Sequence, residues 1–125
     1  MRWLNLFLLI VSTLLFEAKG NVATTWSVAN VASNYTVSAT DCLIFVNSQS
    51  NPVSVTLPST TAFGQTGRVI VVKDVGAHAT VNPIRIFPVG GDKIGLLPGP
   101  WVLSVNGTGI LLFSNGAGVW EAAHS

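Results

Sequence analysis

The chain has 125 residues, 49% hydrophobic and 9% charged, enough for one domain with one core and far below the roughly 25% charge of an average soluble domain. Beyond Gly20 the charges cancel, with Arg68, Lys73, Arg85 and Lys93 set against Asp41, Asp74, Asp92 and Glu121. No basic face exists to displace the counterions of a nucleic acid, so nucleic-acid binding is not expected.

Met1-Arg2 precedes an apolar stretch from Trp3 to Phe16, broken by Asn5, Ser12 and Thr13 and followed by Glu17-Ala18-Lys19-Gly20. A basic start, an apolar run of about 7 to 15 residues and small residues at Ala18 and Gly20 are the parts of a secretory signal. Residues 1–20 therefore read as a signal peptide cleaved after Gly20. If retained, they read as an apolar helix that anchors the chain in a membrane through residues 3–16, although about 20 apolar residues are usual for a span. Residues 21–33 read as a linker and residues 34–125 as a β-domain.

Within that domain, short apolar runs recur about every ten residues with turn residues between them, the spacing of an all-β sandwich or barrel. The expected strands are Tyr35 to Ala39, Cys42 to Asn47, Val53 to Leu57, Arg68 to Lys73, Ile84 to Phe87, Trp101 to Val105, Ile110 to Phe113 and Val119 to Ala122. Cys42, the sole cysteine, excludes an intrachain disulfide and reads as a small buried hydrophobe in the second of these. Val53, Val55 and Leu57 alternate with Ser54 and Thr56, which predicts a strand buried on one face. Val69-Ile70-Val71-Val72 is a continuous β-branched run and predicts a central strand covered on both faces, as does Ile110-Leu111-Leu112-Phe113. Asn106-Gly107 between two strands predicts a hairpin, and Asn115-Gly116-Ala117-Gly118 repeats the device. Together these give a small sandwich or barrel-like stack of short antiparallel strands preceded by an apolar N-terminal helix.

Tyr35-Thr36-Val37, an Asp41-led strand, Val55-Thr56-Leu57-Pro58, Gly67-Arg68-Val69-Ile70-Val71-Val72-Lys73-Asp74, Asn82-Pro83-Ile84, Gly91-Asp92-Lys93-Ile94 and a final Val119-Trp120 follow one another in order. From about Asn34 to Glu121 this order resembles the β-module at the ends of phage tail fibres and in other virion surface proteins. The resemblance implies a non-enzymatic structural or attachment protein, tail-fibre-like, spike-like or a minor capsid protein. Such a protein is usually a homotrimer displayed on a virion surface or virion membrane, with other virion proteins and a host-surface glycan as partners. Two features depart from the pattern: Gly95-Leu96-Leu97-Pro98-Gly99-Pro100 stands where members often have Asp-Gly, and His78 replaces a small polar residue. The alternative is a secreted carbohydrate-binding module.

Chemical motifs are sparse. The sequence contains no nucleophile elbow, zinc-protease helix motif, phosphate-binding loop or paired-cysteine motif, so no catalytic residue, cofactor or metal is expected. Asp74 and Asp92 would need to lie about 5 to 9.5 Å apart to act as a glycosidase pair, and both sit where turns favour aspartate. His78 and His124 carry no patterned acid beside them and receive no role. Phe87 and Trp101 flank the apolar Leu96-Leu97 loop, and these four residues form the expected subunit contact. Asn34-Tyr35-Thr36 and Asn106-Gly107-Thr108 match the N-glycosylation acceptor pattern at Asn34 and Asn106.

Overall fold

The computed structural model describes residues 26–124, so the expected N-terminal helix lies outside the described residues. Those residues contain ten strands and no helix. They are β1 (Val28–Val31), β2 (Tyr35–Thr36), β3 (Leu43–Val46), β4 (Val53–Thr56), β5 (Val69–Asp74), β6 (Ile84–Phe87), β7 (Lys93–Ile94), β8 (Trp101–Leu103), β9 (Gly109–Ser114) and β10 (Val119–His124). The all-β reading holds, and β6 keeps its expected bounds. The stretch 21–33 read as a linker contains β1, and β7 occupies a segment read as a turn.

The strands form a six-stranded sheet in the order β1-β3-β5-β9-β10-β7 and a four-stranded sheet in the order β2-β4-β6-β8. Both are mixed, which corrects the antiparallel expectation: β1/β3, β3/β5, β2/β4, β4/β6 and β7/β10 pair parallel. The cause is the path of the chain. From β1 to β6 each successive strand crosses to the other sheet, reversing direction at each crossing. Two crossings restore the original direction beside the strand left behind, so neighbours in one sheet run parallel.

The same path overturns the expected Asn106-Gly107 hairpin. β8 pairs with β6 in the smaller sheet through Leu103 and Ile84, whereas β9 pairs with β5 in the larger one through Gly109 and Lys73. The turn is therefore an arch between sheets, and Gly107 still uses the positive φ, at 75°, that its chemistry offers. Asn115 to Gly118 does close a hairpin, because β9 and β10 pair antiparallel. There the Asn115 side-chain oxygen accepts the Ala117 and Val119 amides at 2.7 and 3.0 Å.

Alternation along each strand puts Ile44, Val46, Ile70, Val72, Ile110, Leu112 and Trp120 of the larger sheet against Val53, Val55, Ile84, Ile86 and Leu103 of the smaller one. Burying a side chain of this size contributes about 1.5–3 kcal/mol. β5 lies between β3 and β9, as its β-branched run predicts, and β4 buries Val53 and Val55 while Ser54 and Thr56 face outward.

One close approach constrains the arch after β5. A Cβ at Gly76 would collide with Asn47 Oδ1, which accepts the Gln49 amide at 3.1 Å, and would come within 3.2 Å of Asn47 Cα. Gly91 has nothing within 4 Å of such a Cβ. Urea unfolding should therefore separate the two: Gly76→Ala lowers stability by about 1–3 kcal/mol through overpacking, and Gly91→Ala stays within about 0.5 kcal/mol of the parent.

Candidate interaction face and the loop ends

A half-solvated sheet carries polar residues on its outer face, and the smaller sheet largely does. Thr36, Thr56 and Phe87 form one outward row, and Ser54, Arg85 and Val102 form the other. The larger sheet does not. Val28 is opposite Leu43, Leu43 opposite Val71, Val71 opposite Leu111 and Leu111 opposite Ala123. This gives one apolar row across five adjacent strands. Leu43, Val71 and Leu111 form a second apolar cluster against which Trp26, Cys42, Phe45, Val69, Phe113 and Ala123 pack. Val28, at the strand edge, is 44% exposed, whereas Leu111 is 0% exposed. Lys73 and Glu121 adjoin the row, Lys73 opposite Phe45 and Glu121 opposite Phe113, and the Lys73 ammonium donates to the Gly107 carbonyl. Cys42 is half-buried at the rim of this cluster, just before β3, with its Sγ 3.9 Å from the Thr40 carbonyl oxygen.

The four expected contact residues do not form one patch. Trp101 lies opposite Ile86 and packs on the central core, while Phe87 is one residue along β6 from Ile86 and faces the other side of the sheet. Leu96 and Leu97 belong to a tight turn in which Ile94 and Leu97 exchange both backbone hydrogen bonds, at 3.0 and 2.9 Å. That turn presents Leu96 at 94% and Leu97 at 45% exposure along the β7 edge. The side chains at strand spacing were legible as apolar, but their faces depended on register.

The polar groups act on the loops. Asp74, 1% exposed at the end of β5, accepts the amides of Ala79 and Gly107 at 3.1 and 3.0 Å on one oxygen and lies 3.5 Å from the His78 amide on the other. It thereby joins the β5–β6 arch to the β8–β9 arch. Asp92, just before β7, accepts the Thr60 amide at 2.8 Å, and the Thr60 hydroxyl oxygen accepts the Gly118 amide at 2.8 Å. β7 runs in the same direction as β5, because β5/β9 and β9/β10 are antiparallel and β10/β7 is parallel. Asp74 is the last residue of one strand and Asp92 precedes the other, so the two carboxylates stand at opposite ends of the sandwich and do not converge on a common substrate. His78 lies in the loop held by Asp74, and His124 ends β10.

Sequence reading passed over Asp41. Its Oδ2 accepts the Tyr35 hydroxyl at 2.6 Å and the Ser38 amide at 2.8 Å. Arg68 donates to the Ser38 and Asp41 carbonyls at 2.5 and 2.6 Å and to Gln65 Oε1 at 2.9 Å. Burial pushes the Asp41 carboxyl up, but the Tyr35 and Ser38 hydrogen bonds and the Arg68 charge outweigh it and hold the group below its usual value. The hydrogen bond to Asp41, then burial and the negative charge, raise the Tyr35 hydroxyl. Burial lowers the Arg68 guanidinium. Among the described residues no group of three or more His, Cys, Asp or Glu is arranged to hold a metal ion.

No protein-family model and no curated protein sequence matches the chain.

The Tyr35–Asp41 pair predicts a two-sided pH dependence. A lowered carboxyl stabilises the fold above the ordinary carboxylate pKa of about 4 and loses that contribution as pH falls through the folded value. A raised phenol stabilises it below about 10 and loses that contribution as pH rises further. Tyr35→Phe should cost about 1–2 kcal/mol at neutral pH and flatten both limbs of the stability profile measured by denaturant titration from acid to alkaline pH. A variant profile parallel to the parent's would remove the pair as the cause.

Proposed function

We propose that the chain is a non-enzymatic structural module that self-associates through the outer face of its six-stranded sheet, as a homotrimer, in the setting of a virion surface or virion membrane. The observation that carries this reading is the apolar row Val28, Leu43, Val71, Leu111 and Ala123. Leu43, Val71 and Leu111 are buried within the single chain at 8%, 3% and 0% exposure, so what this face offers a second copy is its margin, led by Val28 at 44% exposure with half-buried Phe45 beside it. Closed symmetry lets one such patch serve every subunit.

Two further features favour assembly over catalysis. Asp74 and Asp92 accept backbone amides at opposite ends of the fold, so these carboxylates are spent on loop geometry. The charges beyond Gly20 cancel, which also removes the mutual repulsion that keeps proteins apart. The virion setting rests on the ordered motifs from Tyr35 to Trp120, and attachment to a host glycan and contacts with other virion proteins extend that reading.

Size-exclusion chromatography with light scattering tests the association. The β-domain should elute as an oligomer with three times the monomer mass. Val28→Glu with Phe45→Glu should shift it to monomer, because charge in an apolar contact costs more than the contact returns. Both substitutions lie at the margin of the row, and a circular dichroism spectrum unchanged from the parent would show that the fold persists. A parent protein that stays monomeric up to the highest soluble concentration would overturn the proposal.

A further inference from the structure

The two acceptor motifs at Asn34 and Asn106 are far apart in sequence but share one end of the sandwich. Asn34 immediately precedes β2, and β2, β4 and β6 run parallel. β8 runs antiparallel to β6, so the loop leaving β8, with Asn106 in it, emerges where β2 begins. Asp74 closes this same end through the Gly107 amide.

Both asparagines are exposed, and both use the same half of the carboxamide. Asn34 Oδ1 accepts the Ser54 amide at 2.9 Å, and Asn106 Oδ1 accepts the Thr80 amide at 2.9 Å. With the oxygen engaged by a backbone amide, the nitrogen is the branch of each exposed carboxamide left to carry a substituent. A substituent on Nδ2 therefore leaves the structural hydrogen bond in place, because a secondary amide oxygen still accepts. The Asn34 sequon runs into β2 and the Asn106 sequon occupies the arch between β8 and β9, and both lie clear of the apolar row on the larger sheet.

We infer that Asn34 and Asn106 are N-glycosylation sites that share one solvent-facing end of the domain. The donor is an oligosaccharide carried on a polyprenyl diphosphate. The asparagine Nδ2 attacks the anomeric carbon, and the bond from that carbon to the diphosphate oxygen breaks, with its electron pair leaving on the diphosphate. One Nδ2 proton passes to a base of the transferase. Delivery to the compartment where this occurs is the task for which residues 1–20 have the composition. The inference is independent of self-association: it stands whether the outer sheet face binds a second copy or nothing.

The test uses the full chain produced in a eukaryotic secretory cell and recovered as intact protein for mass spectrometry before and after peptide N-glycosidase treatment. The parent should carry two glycans, and the enzyme should convert Asn34 and Asn106 to aspartate. Thr36→Val and Thr108→Val should each remove one glycan while retaining the asparagine and its Oδ1 hydrogen bond, and the double variant should carry none. Enzymatic removal of the glycans from the folded parent gives the same comparison if a variant fails to fold. A parent recovered with one glycan or none, including one that retains its first 20 residues, would overturn the inference.

Discussion

A chain that crosses between two sheets at every step but the last carries a burden that hairpin proteins avoid. Each arch must turn through the end of the sandwich, where its amides have no neighbouring strand to pair with, and an unpaired buried amide costs about 1–3 kcal/mol. Asp74 meets that need at one end. Its nearly inaccessible carboxylate takes the amides of Ala79 and Gly107, from two different arches. Asp92 does so with Thr60, and Asp41 with Ser38, in the loops of the opposite end. The parallel order of β1, β3 and β5 depends on these closures, since each strand reaches its place through an arch that a carboxylate or a carboxamide pins.

This explains why a domain with so few charges keeps several of them buried. The larger sheet has apolar side chains on both faces, so the fold has little polar surface to spare, and the acidic groups are used where the backbone needs acceptors. Arg68 follows the same logic in reverse, with its guanidinium meeting the Ser38 and Asp41 carbonyls and Gln65. Side chains that resemble catalytic candidates in the sequence thus serve as the struts of the loops.

Much of the strand content was readable because burial on one or both faces leaves a pattern. The alternation of Val53 to Leu57 marked β4, and the unbroken run Val69 to Val72 marked a central strand. β1 was not readable: Val28-Ala29-Asn30-Val31 lies at a sheet edge, with Val28 and Asn30 exposed and Ala29 and Val31 half-buried, so its apolar signal is weak. β7 has two residues, too few for any period. Strand order was hidden for a different reason. Asn-Gly favours a sharp turn whether the chain returns to the same sheet or crosses to the other, so Asn106-Gly107 and Asn115-Gly116 look alike and do different things. The loop carboxylates were visible as turn residues, but the partners that matter, Gly107 for Asp74 and Thr60 for Asp92, lie 33 and 32 residues away. Phe87 and Trp101 fell on opposite faces because their sides follow from the register of β6 against β8, which no local pattern encodes.

The distribution of polarity over the finished domain separates its surfaces. The smaller sheet shows threonine, serine and arginine outward, with Phe87 and Val102 as the apolar exceptions. One end of the sandwich is asparagine-rich, with Asn34 bonding to the Ser54 amide of β4 and Asn47, Asn82 and Asn106 to backbone groups of the loops. Against these, the outer face of the larger sheet is apolar across β1, β3, β5, β9 and β10. Register places these side chains directly opposite one another, with Leu43, Val71 and Leu111 buried as a second cluster, and a row of that kind survives only if every strand contributes the right residue at one level. Five strands doing so on the face away from the space between the sheets is a requirement that the central cluster does not impose, and it is met by a second cluster of the chain's own side chains. Lys73, opposite Phe45, and Glu121, opposite Phe113, adjoin this second cluster and confine its apolar surface to the middle of the sheet.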